Sequence, residues 1–140
     1  MPFSSADRLR IVNEESTTLV GAEAVMTIDR LGGAIVARLD ARYDAFHETE
    51  AAAFEELLTA AIEGQPSPRV VLDLSKTDYF SSATIETLFR VWKKMEANGD
   101  AKMAIAAASP FCREIIATAR LDNLWPMFDD VETAVEGIRN

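Results

Sequence analysis

Two mostly apolar runs, with an amphipathic stretch between them, constrain the fold of this chain more than any other feature. Residues 69–74 and 102–108 are nearly continuous in apolar character, which is typical of strands buried on both faces of a sheet. Between them, an apolar stripe at helical spacing predicts a helix over residues 82–97. The stripe consists of Ile85, Leu88, Phe89, Trp92 and Met95. Such a strand–helix–strand unit has parallel strands and a right-handed crossover, which places the chain in the α/β class.

The segment before this unit predicts a hairpin. Alternating residues over 24–30 and an apolar run over 34–39 indicate two strands, and Gly32-Gly33 between them suits a tight turn. Residues 1–20 are mixed and polar, and we expect an N-terminal arm that is either loosely packed or adds an edge strand. Residues 21–140 are then the folded domain, a length that suits one compact unit.

Further helices are predicted on both sides of the unit. An apolar stripe at helical period indicates a helix over residues 44–63, with Asp44 as an early cap. Ser109-Pro110 is a favourable helix start, because Ser caps well and Pro fits the first helical position. Asp129, followed three residues later by Glu132, resembles a capping box for a last helix. We therefore expect a mixed β-sheet with helices packed on it.

The charge of the chain excludes several classes of protein. It has 14 basic and 23 acidic residues, a formal net charge of −9, which disfavours binding to nucleic acid or to an anionic membrane. No stretch approaches the roughly 20 apolar residues of a membrane-spanning helix. Residues 1–7 lack the basic region and apolar run of a secretory signal. These observations predict a cytoplasmic domain with neither nucleic-acid nor membrane partners.

Catalytic chemistry has little support in the sequence. His47 is the one histidine and has no nucleophile at a recognisable spacing, and Cys112 is the one cysteine and suits a small core position. No Cys/His set has zinc spacing, and no glycine-rich phosphate loop is present. We expect no catalytic residue, no metal site and no cofactor, so the chain is predicted not to be an enzyme.

Two serine hydroxyl groups lie between the predicted strand over residues 69–74 and the start of the predicted helix over residues 82–97. Ser81 and Ser82 lie at the carboxyl end of that strand, the edge of an α/β sheet where ligands and partners usually bind. A helix N-terminus has unpaired N–H groups and a partial positive charge, so a phosphate attached there would be stabilised. Serine is also a preferred N-cap, and capping alone would explain both residues. The residues by themselves leave both explanations open.

At this point the sequence resembles a known family. Residues 70–74 (Val-Val-Leu-Asp-Leu) and 78–88 (Asp-Tyr-Phe-Ser-Ser-Ala-Thr-Ile-Glu-Thr-Leu) are similar to the core signature of STAS domains, the anti-sigma-factor antagonist family. The resemblance extends over about residues 24–139. It implies a compact α/β fold without catalytic activity. It also implies binding to an anti-sigma factor or a switch-type serine kinase, and inactivation by phosphorylation of one serine.

The resemblance also assigns residues to the regulatory loop. The phosphorylated serine of the family falls on Ser82, in a loop that begins near Asp78. The family's preceding Asp falls on Ser81 and its following Ser-Gly falls on Ala83-Thr84, so this chain departs from the pattern at those three positions. The changes remove a carboxylate beside the acceptor and place a β-branched residue in the first helical turn. They favour a divergent branch with a different partner.

Local charge suggests a docking face around this loop. Residues 76–94 contain four bases against two acids, a net charge of +2, whereas residues 44–63 contain six acids and no base. We expect a partner to contact Lys76, Arg90, Lys93 and Lys94. Ordinary solubilising charge explains these residues equally well. A phosphate on Ser82 would bring such a face close to neutral or reverse its sign.

Three hypotheses follow. The leading one is a regulatory protein–protein interaction domain that binds its partner through residues 76–82 and the exposed face of helix 82–97, and is switched by phosphorylation of Ser82. The second is a non-phosphorylated scaffold, either a homodimer or a subunit of a larger signalling or transport complex. The third, an enzyme dependent on His47, has the least support.

Overall fold

A computed structural model of the chain describes residues 9–13, 16–20, 24–41, 48–77, 82–97 and 99–139. Within these ranges, seven strands form one sheet in sequence order. The strands are β1 (Leu9–Asn13), β2 (Ser16–Val20), β3 (Ala24–Leu31), β4 (Ala34–Ala41), β5 (Arg69–Thr77), β6 (Lys102–Ala106) and β7 (Met127–Phe128). The helices are α1 (Glu48–Ile62), α2 (Ser82–Glu96), α3 (Pro110–Thr118) and α4 (Val131–Gly137), with a 3-10 turn at Leu121–Asn123.

The sheet changes from antiparallel to parallel at β4. Strands β1 to β4 pair antiparallel in series, and β4 to β7 pair parallel. The predicted hairpin is confirmed as β3 and β4. Its turn residues Gly32 and Gly33 have φ angles of 58° and 82°, which a two-residue hairpin loop requires and which glycine adopts without steric cost. The predicted parallel unit is confirmed as β5, α2 and β6, so the sheet is mixed as expected.

The core lies mainly on one face of the sheet. Helices α1, α2 and α3 pack there against Val70, Leu72 and Leu74 of β5, all of which are fully or almost fully buried. A smaller cluster on the other face packs α4 against Val71 and its neighbours on β4 and β6. Because successive side chains of a strand point to opposite faces, β5 contributes to both clusters. This confirms the prediction of a strand buried on both faces.

The buried face of α2 differs from the predicted stripe. Phe89 is 38% exposed and Ile85 is only partly buried, whereas the structure buries Thr84, Thr87 and Val91. Because α2 packs against both the sheet and α1, its buried side faces these two elements and not α3. Threonine is tolerated inside because its hydroxyl can bond within the helix. The Oγ1 of Thr87, for example, donates to the carbonyl oxygen of Ala83 at 2.8 Å.

The C-terminal helices largely follow the sequence. Ser109 caps α3 as predicted, accepting a hydrogen bond from the N–H of Cys112 at 3.2 Å. The predicted cap of α4 is wrong by one residue. Asp130 caps the helix by accepting from the N–H of Thr133 at 2.7 Å, whereas Asp129 pairs with Arg113 of α3. Strand β7 was not predicted, because two residues are too few to show an alternating pattern.

At the N-terminal side, the structure has two strands within the predicted arm. Strand β2 pairs with β3 from Thr17 opposite Ile28 to Val20 opposite Val25, so residues 16–20 continue the sheet. The division of the chain at residue 20 stays a prediction. Asp44 and His47 lie outside the described residues.

The end of α3 generates a stability prediction. Arg120 adopts a left-handed backbone conformation, with φ of 61°, and its N–H donates to the carbonyl oxygen of Ala117 at 3.0 Å. That conformation costs an L-residue about 1–2 kcal/mol, and the residue that adopts it after a helix is usually glycine. Arg120→Gly is expected to raise the free energy of unfolding by about 0.5–1 kcal/mol in urea titrations, since the entropy of glycine in the unfolded chain offsets part of the gain.

Arg120→Ala is the matched control for this prediction. It removes the same exposed side chain and keeps the backbone penalty, so it should show no such gain. Equal stabilities of the Gly and Ala variants would show that the left-handed backbone is not what limits stability there.

Candidate functional site

The carboxylate of Asp73 anchors the carboxyl half of β5. Asp73 is 2% exposed and lies opposite Arg38 in the parallel register with β4. Its Oδ2 accepts from Nε of Arg38 at 2.9 Å, and its Oδ1 accepts from the N–H of Ser75 at 3.0 Å. Burial alone would raise the pKa of Asp73, but these hydrogen bonds outweigh it and lower the pKa below its usual value. The carboxylate is therefore ionised at neutral pH and joins β4 to β5.

The last residue of β5 is held from two sides. Thr77 is buried, and its hydroxyl donates to the carbonyl oxygen of Leu39 on β4. The Sγ of Cys112 on α3 lies 4.0 Å from the carbonyl oxygen of Thr77, within range of a weak hydrogen bond. These contacts set the direction in which the chain leaves the sheet. The predicted loop residues Asp78 and Ser81 follow and lie outside the described residues, so their role stays a prediction.

Ser82 is the first residue of α2, and its side chain is exposed. It stands at one side of an open groove of about 560 Å³ between α2 and α3. The lining residues are Ser82, Ile85 and Glu86 from α2, Phe111, Glu114, Ile115 and Thr118 from α3, and Ala119. The groove is mainly apolar, with Phe111 48% exposed, and the described residues that line it include two carboxylates and no base. This groove, called the α2–α3 groove below, is the most developed surface feature beside Ser82.

The other two predicted loop positions lie in the first turn of α2. Thr84 is buried at 1% exposure, so it supports the helix from inside and has no surface to offer a partner. Ala83 is half-buried, and its carbonyl oxygen accepts the hydroxyl of Thr87. The absence of the family's glycine is therefore compatible with a regular helix starting at Ser82.

The predicted partner-binding cations lie on other sides of α2. Nε of Arg90 and Nζ of Lys94 both contact the carboxylate of Glu55 on α1, at 2.8 and 3.0 Å. Burial would raise the pKa of Glu55, but the hydrogen bonds from the two cations lower it. Nζ of Lys93 lies 5.3 Å from the ring centre of Phe89, a cation–π contact.

The fourth predicted cation, Lys76, is exposed near the end of β5. Arg90 and Lys94 therefore face α1, whereas Ser82 faces α3. The predicted docking face is split into two surfaces, and the role of the four cations in partner binding stays a prediction.

The sequence reasoning did not single out the α3 side of the groove. Phe111 and Ile115 stand four residues apart, one position before the buried pair Cys112 and Ile116. Cys112 and Ile116 already give α3 a buried apolar side. Two further apolar residues next to them are the signal that could have identified a second, partner-facing side of α3.

The described ranges have two further properties that bear on function. No group of three or more His, Cys, Asp and Glu side chains within them is arranged to hold a metal ion. No helix in the part of the chain that the structure describes is long and apolar enough to cross a membrane.

Comparison with known proteins identifies the family. The STAS domain model matches residues 26–134, which is most of the chain, so this chain belongs to the STAS domain family. A search of curated proteins found no match. The predicted resemblance and the predicted α/β fold are both confirmed.

Solved structures show the same fold. An anti-sigma-factor antagonist (STAS) domain protein from Planctomyces limnophilus is 25% identical, with a TM-score of 0.70 over 82% of this chain and 98% of that one. The anti-sigma factor antagonist SpoIIAA in its unphosphorylated form is 14% identical, with a TM-score of 0.64 over 94% of each chain. Part of the murine anion transporter Slc26a9 is 13% identical, with a TM-score of 0.63 over 79% of this chain and 18% of that one.

The environment of Asp73 generates a pH prediction. Because its pKa is lowered in the folded state, the ionised carboxylate stabilises the protein above its unfolded pKa near 4, and this stability is lost as the pH falls through the lower folded value. Asp73→Asn is expected to lower the free energy of unfolding by about 1–2 kcal/mol at pH 7, since a charged hydrogen bond to a half-exposed Arg38 is lost. The difference from the wild type should shrink as the pH falls below about 4.

Urea unfolding at several pH values measures this difference. Asp129→Asn is the control, since Asp129 and its partner Arg113 are both exposed, at 93% and 40%, and its loss should change stability by less than about 0.5 kcal/mol. A deficit of Asp73→Asn that stays constant down to pH 3 would contradict the role given to the ionised carboxylate.

Proposed function

We propose that this chain is a regulatory protein–protein interaction domain of the anti-sigma-factor antagonist type, switched by phosphorylation of Ser82. The observation that carries the proposal is the exposed hydroxyl of Ser82 at the N-terminus of α2, beside a mainly apolar groove. Membership of the STAS family and the likeness to an anti-sigma-factor antagonist domain support it. In this proposal the domain acts in the cytoplasm, performs no catalysis of its own, and binds an anti-sigma factor or a switch-type serine kinase.

The position of Ser82 makes a phosphate compatible with the fold. The first N–H groups of a helix have no partner within the helix, and the helix dipole places a partial positive charge there. A phosphate on Ser82 would add a charge of about −1.5 to −2 at this point without entering the core. The switch therefore needs no refolding, and its effect falls on whatever covers the α2–α3 groove.

The effect on a partner follows from the surroundings of Ser82. Glu86 lies one helical turn further along the same side of α2, and the rest of the nearby lining is mainly apolar. After phosphorylation, a partner that covers the groove would have to remove water from a dianion, with a carboxylate nearby and no base among the described residues of the lining. Phosphorylation should weaken binding because the phosphate must be dehydrated, and not by neutralising a basic face as the sequence suggested.

A second candidate is a STAS scaffold that is not phosphorylated. The departure at Ser81, where the family has an aspartate, favours it, and the likeness of fold to part of a murine anion transporter is consistent with such a domain within a larger assembly. In that role the α2–α3 groove would be a permanent interface of a homodimer or of a larger complex, insensitive to charge at Ser82.

Variants at Ser82 separate the two candidates. Ser82→Ala should keep the fold, at a cost of at most about 1–2 kcal/mol if the hydroxyl caps α2, and should abolish phosphorylation in mass spectra of protein isolated from its native cells. Ser82→Asp should reduce the amount of partner retained from native cytosol by about tenfold in a quantitative pull-down, because the added carboxylate must be dehydrated when a partner covers the groove.

Ser67→Asp is the matched control, since it adds the same charge to an exposed loop away from the groove and should retain the partner normally. Phosphate that persists in Ser82→Ala would show that the acceptor lies elsewhere. Full retention of the partner by Ser82→Asp would favour the scaffold.

A further inference from the structure

From the α2–α3 groove we infer the chemistry of the partner. The groove accepts an amphipathic helical segment whose apolar side chains insert between α2 and α3 and whose flanks carry Lys or Arg. This inference rests on the proposed function, because it names the partner chemistry of the same site. It is carried by the shape, the exposed apolar residues and the charge of the groove.

The apolar part of the argument concerns exposure and shape. Phe111 is 48% exposed on α3, and the partly buried Ile85 and Ile115 lie beside it in the groove. These three side chains adjoin one another, and contiguous exposed apolar residues, unlike single ones, mark contact surfaces. A cleft of about 560 Å³ between two helices suits a row of side chains spaced at i, i+3, i+4 and i+7 on a third helix.

The charge of the groove selects the flanks of that helix. Glu86 and Glu114 are exposed on its two sides, and neither has an ion-pair partner among the described residues. Nearby cations do not neutralise them, because Arg90 binds Glu55 and Arg113 binds Asp129. A segment with basic flanks is therefore attracted to both sides of the groove, and one with acidic flanks is repelled.

The same charges argue against a second copy of this chain as the occupant. A two-fold dimer places the same surface patch on both subunits, so Glu86 and Glu114 of one copy would meet those of the other. Like charges brought together in an interface oppose association. The overall net charge of −9 acts in the same direction.

Phosphorylation of Ser82 has two opposed effects on a basic segment. The added negative charge attracts Lys and Arg, but attraction between exposed charges is screened by water and salt. Dehydrating a phosphate against an apolar side chain is the larger effect. The segment should therefore still be released on phosphorylation, with a smaller loss at low salt than at high salt.

Selection from a random peptide library tests the inference without knowledge of the partner. A library of 16-residue peptides displayed on phage is selected on the immobilised full chain, and the enriched peptides are titrated by fluorescence polarisation. We expect enriched peptides with a net positive charge and with apolar residues at helical spacing. Phe111→Ala should weaken their binding by about tenfold or more, since an exposed aromatic anchor is lost.

Charge variants test whether Glu86 and Glu114 select the basic flanks of the segment. Glu86→Gln combined with Glu114→Gln should weaken binding by about fivefold at low salt, and this effect should disappear at high salt because exposed pairs are screened. Leu124→Ala and Glu132→Gln are the matched controls, because both residues are exposed and neither lines the groove. Both controls should bind the peptides as the wild type does.

Several outcomes would overturn the inference. These are enrichment of neutral or acidic peptides, no enrichment at all, or equal binding by wild type and Phe111→Ala. A concentration-dependent dimer in light scattering that Phe111→Ala abolishes would identify a second copy as the occupant. The proposed function survives these results if Ser82→Asp still reduces retention of the native partner. The proposed function fails, and the inference about the groove stands, if the groove binds basic peptides but Ser82→Asp changes the retention of no native partner.

Discussion

Strand β5 is buried on both faces, and this burial organises both layers of helices. Its alternating side chains fill the large core under α1 to α3 and the small core under α4, so neighbours are needed on both faces of the sheet. The one acid within this buried stretch, Asp73, is tolerated because Arg38 and the N–H of Ser75 satisfy its carboxylate. The same ion pair joins the antiparallel half of the sheet to the parallel half.

The position of the candidate site follows from the way β5 ends. Thr77 binds the backbone of β4 and approaches Cys112 of α3, so the chain leaves the sheet between two anchored elements. Helix α2 then begins at Ser82, and pairing of Arg90 and Lys94 with Glu55 ties it to α1. Because α2 packs against α1, a cleft remains between α2 and α3, and that cleft is the α2–α3 groove.

Much of this architecture was predictable from local pattern. The hairpin, the strand–helix–strand unit, the Ser109 cap and the start of α2 at Ser82 all depend on residues close together in the sequence. The buried arc of α2 was predicted less well, since helical periodicity locates an apolar stripe but not the neighbour it packs against. The two-residue strand β7 had no local pattern at all and depends on pairing with β6.

The fold class, the family and the residue at the start of α2 follow from the sequence, because they depend on periodicity, turn residues and a local signature. What surrounds that residue depends on the tertiary structure. It placed Phe111 and Glu114 beside Ser82 and turned Arg90 and Lys94 toward α1, although the sequence had grouped Arg90 and Lys94 with Ser82. The physical reason is that helix rotation and helix–helix contact are set by core packing, which joins residues far apart in sequence.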